Sequence, residues 1–156
     1  MIDIKSAQAH CDIPCKVYDP SVIQYSTLSI IRFIDLIIEL KDSDLGISQY
    51  SQLARLTAVK EEHAKEVKNE VATIWGDYFK EPQIKKHPEI HELVHSIMQN
   101  ASKCKQEIDR DSAVELLKKV NRFTEIFWET KNVETGKFRA PYPPELVVVC
   151  PILKNA

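Results

Sequence analysis

Glycine is scarce in this chain: 3 residues of 156. So few disfavour glycine-rich phosphate loops and turn-dense all-β folds. An excess of one charge is also missing. The 21 Lys+Arg stand against 23 Asp+Glu, a net charge of -2. That argues against holding nucleic acid by bulk charge. The longest apolar stretches are interrupted by charged residues, so no membrane span is expected. Residues 1–9 lack the apolar core of about 7–15 residues that a secretory signal needs. Yet Ala7-Gln8-Ala9 resembles a small-residue cleavage site. A classical export signal is not expected, and a cytoplasmic location is. Removal of residues 1–9 would take Asp3 and Lys5 together and leave the net charge unchanged.

What remains is the composition of a soluble globular protein, 44% hydrophobic and 28% charged. The length fits one domain of roughly 100–200 residues. A chain of this size buries about two-thirds of its unfolded surface, so it needs no staple to fold.

The apolar period is helical almost throughout. Asp19-Pro20 predicts a helix start, with Asp as cap and Pro in the first turn. Residues 22–40 then form an unusually apolar helix, charged only at Arg32, Asp35 and Glu39. Such a helix is buried on more than one side, in a bundle or at a subunit contact. A second helix is predicted over about 51–78, ended by Glu81-Pro82. A third opens near His87-Pro88. A fourth begins at Ser112, with Glu115 completing a capping box. Four amphipathic helices with short links predict an all-α, antiparallel four-helix bundle.

The helical pattern stops after about Lys131. The tail, 132–156, holds Pro141, Pro143, Pro144 and Pro151, half of the 8 prolines. The run Ala140-Pro-Tyr-Pro-Pro144 is expected to be extended and stiff. Leu146-Val-Val-Val-Cys150 is β-prone and needs a covering surface, which a neighbouring subunit could supply.

A bundle by itself carries no activity. The chemistry lies ahead of it, in His10-Cys11-Asp12-Ile13-Pro14-Cys15-Lys16-Val17-Tyr18. Pro14 blocks a helix between the two cysteines, so the segment must turn, and a hook can bring both sulfurs to one point. Two thiolates alone do not complete a metal site. A chain that begins at His10 offers more: a terminal amine, the backbone amide of Cys11, two thiolates and an imidazole. A planar set of two nitrogens and two sulfurs suits Ni(II) or Cu(II), whereas a tetrahedral set suits zinc. The planar scheme requires cleavage of the Ala9–His10 bond. The bland alternatives are a Cys11–Cys15 disulfide or half of a structural zinc site.

This hook resembles that of the nickel superoxide dismutases, whose mature chains begin His-Cys-x-x-Pro-Cys-Gly-x-Tyr. Here the residues are His10, Cys11, Pro14, Cys15 and Tyr18, with Lys16 in place of the glycine. Trp75-Gly-Asp-Tyr-Phe79, His87-Pro-Glu-Ile-His91-Glu-Leu-Val94 and Ile126-Phe-Trp-Glu-Thr-Lys131 resemble later stretches of that family in the same order. The resemblance covers about residues 9–131.

The resemblance implies a four-helix-bundle enzyme, assembled as a homohexamer, matured by a protease that removes a short leader, and holding one nickel ion per subunit. It implies dismutation of superoxide to O2 and H2O2 by Ni(II)/Ni(III) cycling. His10 would give its amine and imidazole, Cys11 its thiolate and amide, and Cys15 the second thiolate. Tyr18 would cover the open face. Pro14 would shape the hook and Asp12 would anchor it. Arg55 would stand behind the imidazole. Two departures are visible. Lys16 is costly if its position needs a positive φ, although its charge could attract superoxide. Ser26 stands where the family often has a glutamate that orients the imidazole, which points to looser axial ligation. The competing expectation is a non-enzymatic thiol hook that stores or delivers nickel or copper.

Outside the hook, Cys104 falls on an apolar helical stripe as a core thiol, and Cys150 is expected to be structural or idle. His63, within a helical stripe, is expected as a satisfied interior or interface histidine. His87, His91 and His95 recur every four residues, a spacing open to a second metal site or to a solvated flank.

Overall fold

A computed structural model describes residues 16–42 and 46–153. Helix α1 spans Ser21–Glu39, α2 Ile47–Thr73, α3 Glu81–Lys86, α4 Ile90–Gln106 and α5 Arg110–Thr130. Strands β1, Thr135–Arg139, and β2, Val147–Pro151, follow. Helix α1 packs on α2 and α5, and α4 packs on α2 and α5. Each long helix thus has two long-helix neighbours, which closes the expected four-helix bundle.

The start of α1 follows from Asp19, whose Oδ1 accepts the Ser21 backbone N–H at 2.8 Å. Ile23, Ile30, Ile31 and Ile34 are all fully buried. Ser26 and Leu28, on either flank of the stripe they form, are buried as well, so burial spreads over more than one face, as foreseen for this helix. By length and mean hydropathy, 1.4, α1 would also suffice to cross a membrane. In this fold it is a core helix, and Asp35 pairs with Arg110 of α5 at 2.7 Å.

Helix α2 starts four residues earlier than the sequence suggests, at Ile47. Its end also differs. Residues Ile74–Tyr78 form one π turn rather than continuing the α-helix. Pro82 does not terminate this helix; it sits in the first turn of α3, where a missing N–H costs nothing. Helix α5 begins at Arg110, two residues before Ser112. The cap is Asp109, whose carboxylate accepts the Ser112 backbone N–H at 3.1 Å and its hydroxyl at 2.6 Å. A carboxylate outcompetes a serine hydroxyl for orphan N–H groups, so Ser112 becomes donor rather than cap.

The tail is a β-hairpin on its own bundle. β1 and β2 pair antiparallel, with Phe138 opposite Val148 and Gly136 opposite Cys150. A Cβ on Gly136 would lie 2.5 Å from the Phe138 ring, so this site has room only for glycine as the ring lies. The run 140–144 is not an extended rod. The Glu145 N–H donates to Tyr142 O at 2.8 Å with Glu145 at φ 57°, closing a reversal that lets the strands pair. Buried Gln24 of α1 donates to Val149 O at 3.0 Å, and Asn121 of α5 donates to Val147 O at 2.8 Å. These side chains satisfy outward carbonyls of β2 and fix the hairpin to α1 and α5.

Candidate metal centre

His10, Cys11, Asp12, Pro14 and Cys15 lie outside the described residues, as does the 1–9 leader. Their fit to nickel rests on donor chemistry: in a chain that started at His10, the amine, an amide nitrogen, two thiolates and an imidazole would be nitrogen and sulfur donors of the kind that suits Ni(II). The described part of the segment begins at Lys16, which has φ 59°. That is the left-handed region, where a non-glycine residue costs about 1–2 kcal/mol. The cost anticipated for a lysine here is therefore present.

Tyr18 is half-buried against the core, its ring centroid 5.9 Å from that of Tyr78 at a 52° tilt. Tyr78 is the last residue of the π turn, a distortion often found at functional sites. The Thr130 hydroxyl donates to Phe127 O at 2.6 Å, so the Tyr78 hydroxyl, 2.6 Å away, is the donor to Thr130. Lys131 Nζ lies 4.8 Å from the Tyr78 ring centre. Tyr78 thus forms the platform under Tyr18, with Lys131 packed on the Tyr78 ring. Sequence reasoning missed both as site residues. The available signals were Gly76 interrupting a long helix and the matched stretch Trp75–Phe79.

Ser26 has no solvent exposure. Its Oγ donates to Glu66 Oε2 at 2.5 Å, and His63 Nδ1 lies 3.1 Å from the same oxygen. His63 stacks on Phe33 at 5.7 Å and meets Tyr25 edge-on at 6.0 Å. His63 is partly buried and has a partner, as expected. The helix that lacks a carboxylate at position 26 has one held against it by α2.

Arg55 is exposed on α2. It precedes Tyr78 by 23 residues, about 34 Å along a helix rising 1.5 Å per residue. Within one chain Arg55 and Tyr18 therefore lie towards opposite ends of the bundle.

The row of three histidines is not a single helical face. Pro88 delays α4 to Ile90, which leaves His87 before the helix, 6% exposed and with Nε2 unbonded. His91 Nδ1 accepts the Trp75 indole N–H at 3.0 Å. Among the described residues no group of three or more His, Cys, Asp or Glu is arranged to hold a metal. Cys104 is fully buried, and desolvation pushes its thiol up to about 11. Cys150 is half-buried in β2.

Comparison with known proteins bears on the same stretch of chain. A sequence family described as nickel-containing superoxide dismutase matches residues 5–131, hook included. A superoxide dismutase [Ni] of Streptomyces coelicolor is 32% identical over 126 residues, 81% of this chain and 91% of that protein. One of Streptomyces seoulensis is 32% identical over 123 residues, 79% and 88% of the two chains. The fold superposes on the 1.30 Å structure of native nickel superoxide dismutase with a TM-score of 0.69, 32% identity, and coverage of 79% of this chain and 99% of that one. A structure whose nickel ligation corresponds to the oxidized state gives 0.68 at 31% identity, with the same coverage. The chain belongs to the nickel-containing superoxide dismutase family, oxidoreductases that use nickel as cofactor and superoxide as substrate.

Proposed function

We propose that this chain performs its dismutase reaction at a hook made of His10, Cys11 and Cys15, after cleavage of the Ala9–His10 bond. The observation that carries this reading is the family match across residues 5–131, which includes every hook position. The relatives described above are dismutases, so the metal-storage reading is set aside. Bound nickel supplies a one-electron couple by which one superoxide is oxidised to O2 and another, with two protons, is reduced to H2O2.

The chain's own residues have separate tasks. The Cys11 and Cys15 thiolates and the Cys11 amide hold the ion in a field of electron-rich donors. The His10 amine exists as a ligand only when residue 10 is the chain start. Pro14 turns the segment and Asp12 anchors it. Tyr18, braced on Tyr78, places its phenol at the open face, where it positions a small anion and excludes larger ones.

Arg55 belongs to the site of a neighbouring copy in this reading. Tyr78, on which Tyr18 packs, is about 34 Å from Arg55 along the helix. The eight residues from Tyr18 back to His10 would reach at most about 28 Å even fully extended. Contact between Arg55 and an imidazole therefore calls for an oligomer, and a homohexamer is proposed. A cytoplasmic location and removal of residues 1–9 by a processing protease complete the proposal.

The test is to prepare the chain from His10, load nickel, and measure superoxide decay and native mass. Turnover far above free nickel in a homo-oligomer is the expected result. Cys11→Ser and Cys15→Ser should each abolish turnover. Normal turnover in either variant, or in a chain that retains residues 1–9, would remove the proposed ligand set. Mixing Arg55→Ala with Cys15→Ser subunits should give more activity than the two variants alone add up to if Arg55 acts across a subunit boundary.

A further inference from the structure

We infer that Lys16 is a substrate-steering residue, a fixed positive charge held beside the metal hook to draw in the superoxide anion. Four observations converge on it. Lys16 follows the ligand cysteine Cys15 directly, one peptide unit or about 3.8 Å between Cα atoms. Its φ of 59° is a conformation that glycine would adopt without strain. Its side chain is exposed, and among the described residues no carboxylate pairs with it. The chain carries a net charge of -2, so an approaching anion gains nothing from the overall field.

A lysine in this conformation costs folding energy and makes no described contact that returns it. What it brings to this position is a positive charge. A cation within a Debye length of the metal, about 10 Å at 0.1 M salt, raises the local concentration of a small anion and hence its rate of encounter. The backbone strain thereby has a functional counterpart, in the direction from observed outlier to role. The inference rests on Cys15 being a nickel ligand.

The experiment compares Lys16→Arg, Lys16→Gln, Lys16→Gly and Lys16→Glu in the nickel-loaded enzyme, with activity normalised to bound nickel. At an ionic strength of about 0.01 M, kcat/KM should fall roughly threefold in the Gln and Gly variants, further in Glu, and be restored by Arg. At about 0.5 M salt the five proteins should converge. Azide, a non-reacting anion followed by its optical change on the nickel, should bind in the same order. Thermal unfolding of metal-free Lys16→Gly should show no loss of stability, which separates the charge effect from misfolding. Equal kcat/KM and equal azide affinity for Lys and Gln at low salt would overturn steering. Nickel retained by Cys15→Ser would instead overturn the ligand assignment beneath it.

Discussion

Lys60 shows how far a single side chain can depart from its usual place. It is 1% exposed, and its Nζ donates to Cys104 O at 2.7 Å, Lys105 O at 2.8 Å and Glu107 O at 3.1 Å. These are orphan carbonyls at the end of α4. Burial pushes the Lys60 ammonium below its ordinary pKa. The three carbonyls keep it useful as a donor. Lys60→Met should cost about 2–4 kcal/mol in urea unfolding, since it strips three acceptors at once. Nothing in the sequence marks this lysine, because its partners lie more than forty residues downstream. Cys104 was readable from its apolar stripe. With its thiol pushed up to about 11, it should resist iodoacetamide in the folded protein and react once unfolded.

At the scale of elements, caps and breaks decided what periodicity could not. The Asp109 cap is held by Ser112 and by Lys103, 2.9 Å from Oδ2, and these contacts hold its carboxyl well below the usual carboxylate range. A depressed carboxylate contributes stability that is complete above its unfolded pKa of about 3.9 and is lost as pH falls through the lower folded value. Asp109→Asn should therefore flatten part of the acid limb of a stability–pH curve, measured by thermal unfolding between about pH 2 and 6. The α1–α2 contact has its own polar lock. Ser26→Ala removes a hydrogen bond to the Glu66 carboxylate from a fully buried site, and chemical denaturation should register a loss of about 1–2 kcal/mol. Ser26 alone suggested a missing carboxylate. Only the packing of α2 shows that another one lies against it.

The whole molecule carries a hairpin beyond residue 131, where the family match ends, and the native nickel superoxide dismutase structure matches 79% of this chain. Its attachment runs through Gln24 and Asn121 and through Val148 and Val149, which are 9% and 1% exposed. A chain ending at Lys131 should keep its bundle and its nickel binding. Its thermal midpoint should fall by several degrees, because burying two valine side chains contributes about 3–6 kcal/mol before ordering entropy is subtracted. Failure of the shortened chain to fold would make the hairpin part of the core rather than an addition to it. The β-prone run and the prolines were visible beforehand. That the tail covers its own subunit was not, because a strand's partner is set by distant residues.

Four helices were determined by the sequence alone, since a period near 3.6 and a few local stop signals specify each helix without reference to the others. The donor set proposed for the hook is read from the sequence too, because ligand chemistry depends on which groups stand within a few residues of one another. Tertiary structure alone decided the neighbours: Tyr78 under Tyr18, Glu66 against Ser26, Lys60 at the end of α4, and Arg55 towards the far end of the bundle. These pairings join residues 40 or more positions apart. Their contacts exist only once the helices have chosen their order and register, a choice made by the shared core and not by any one segment.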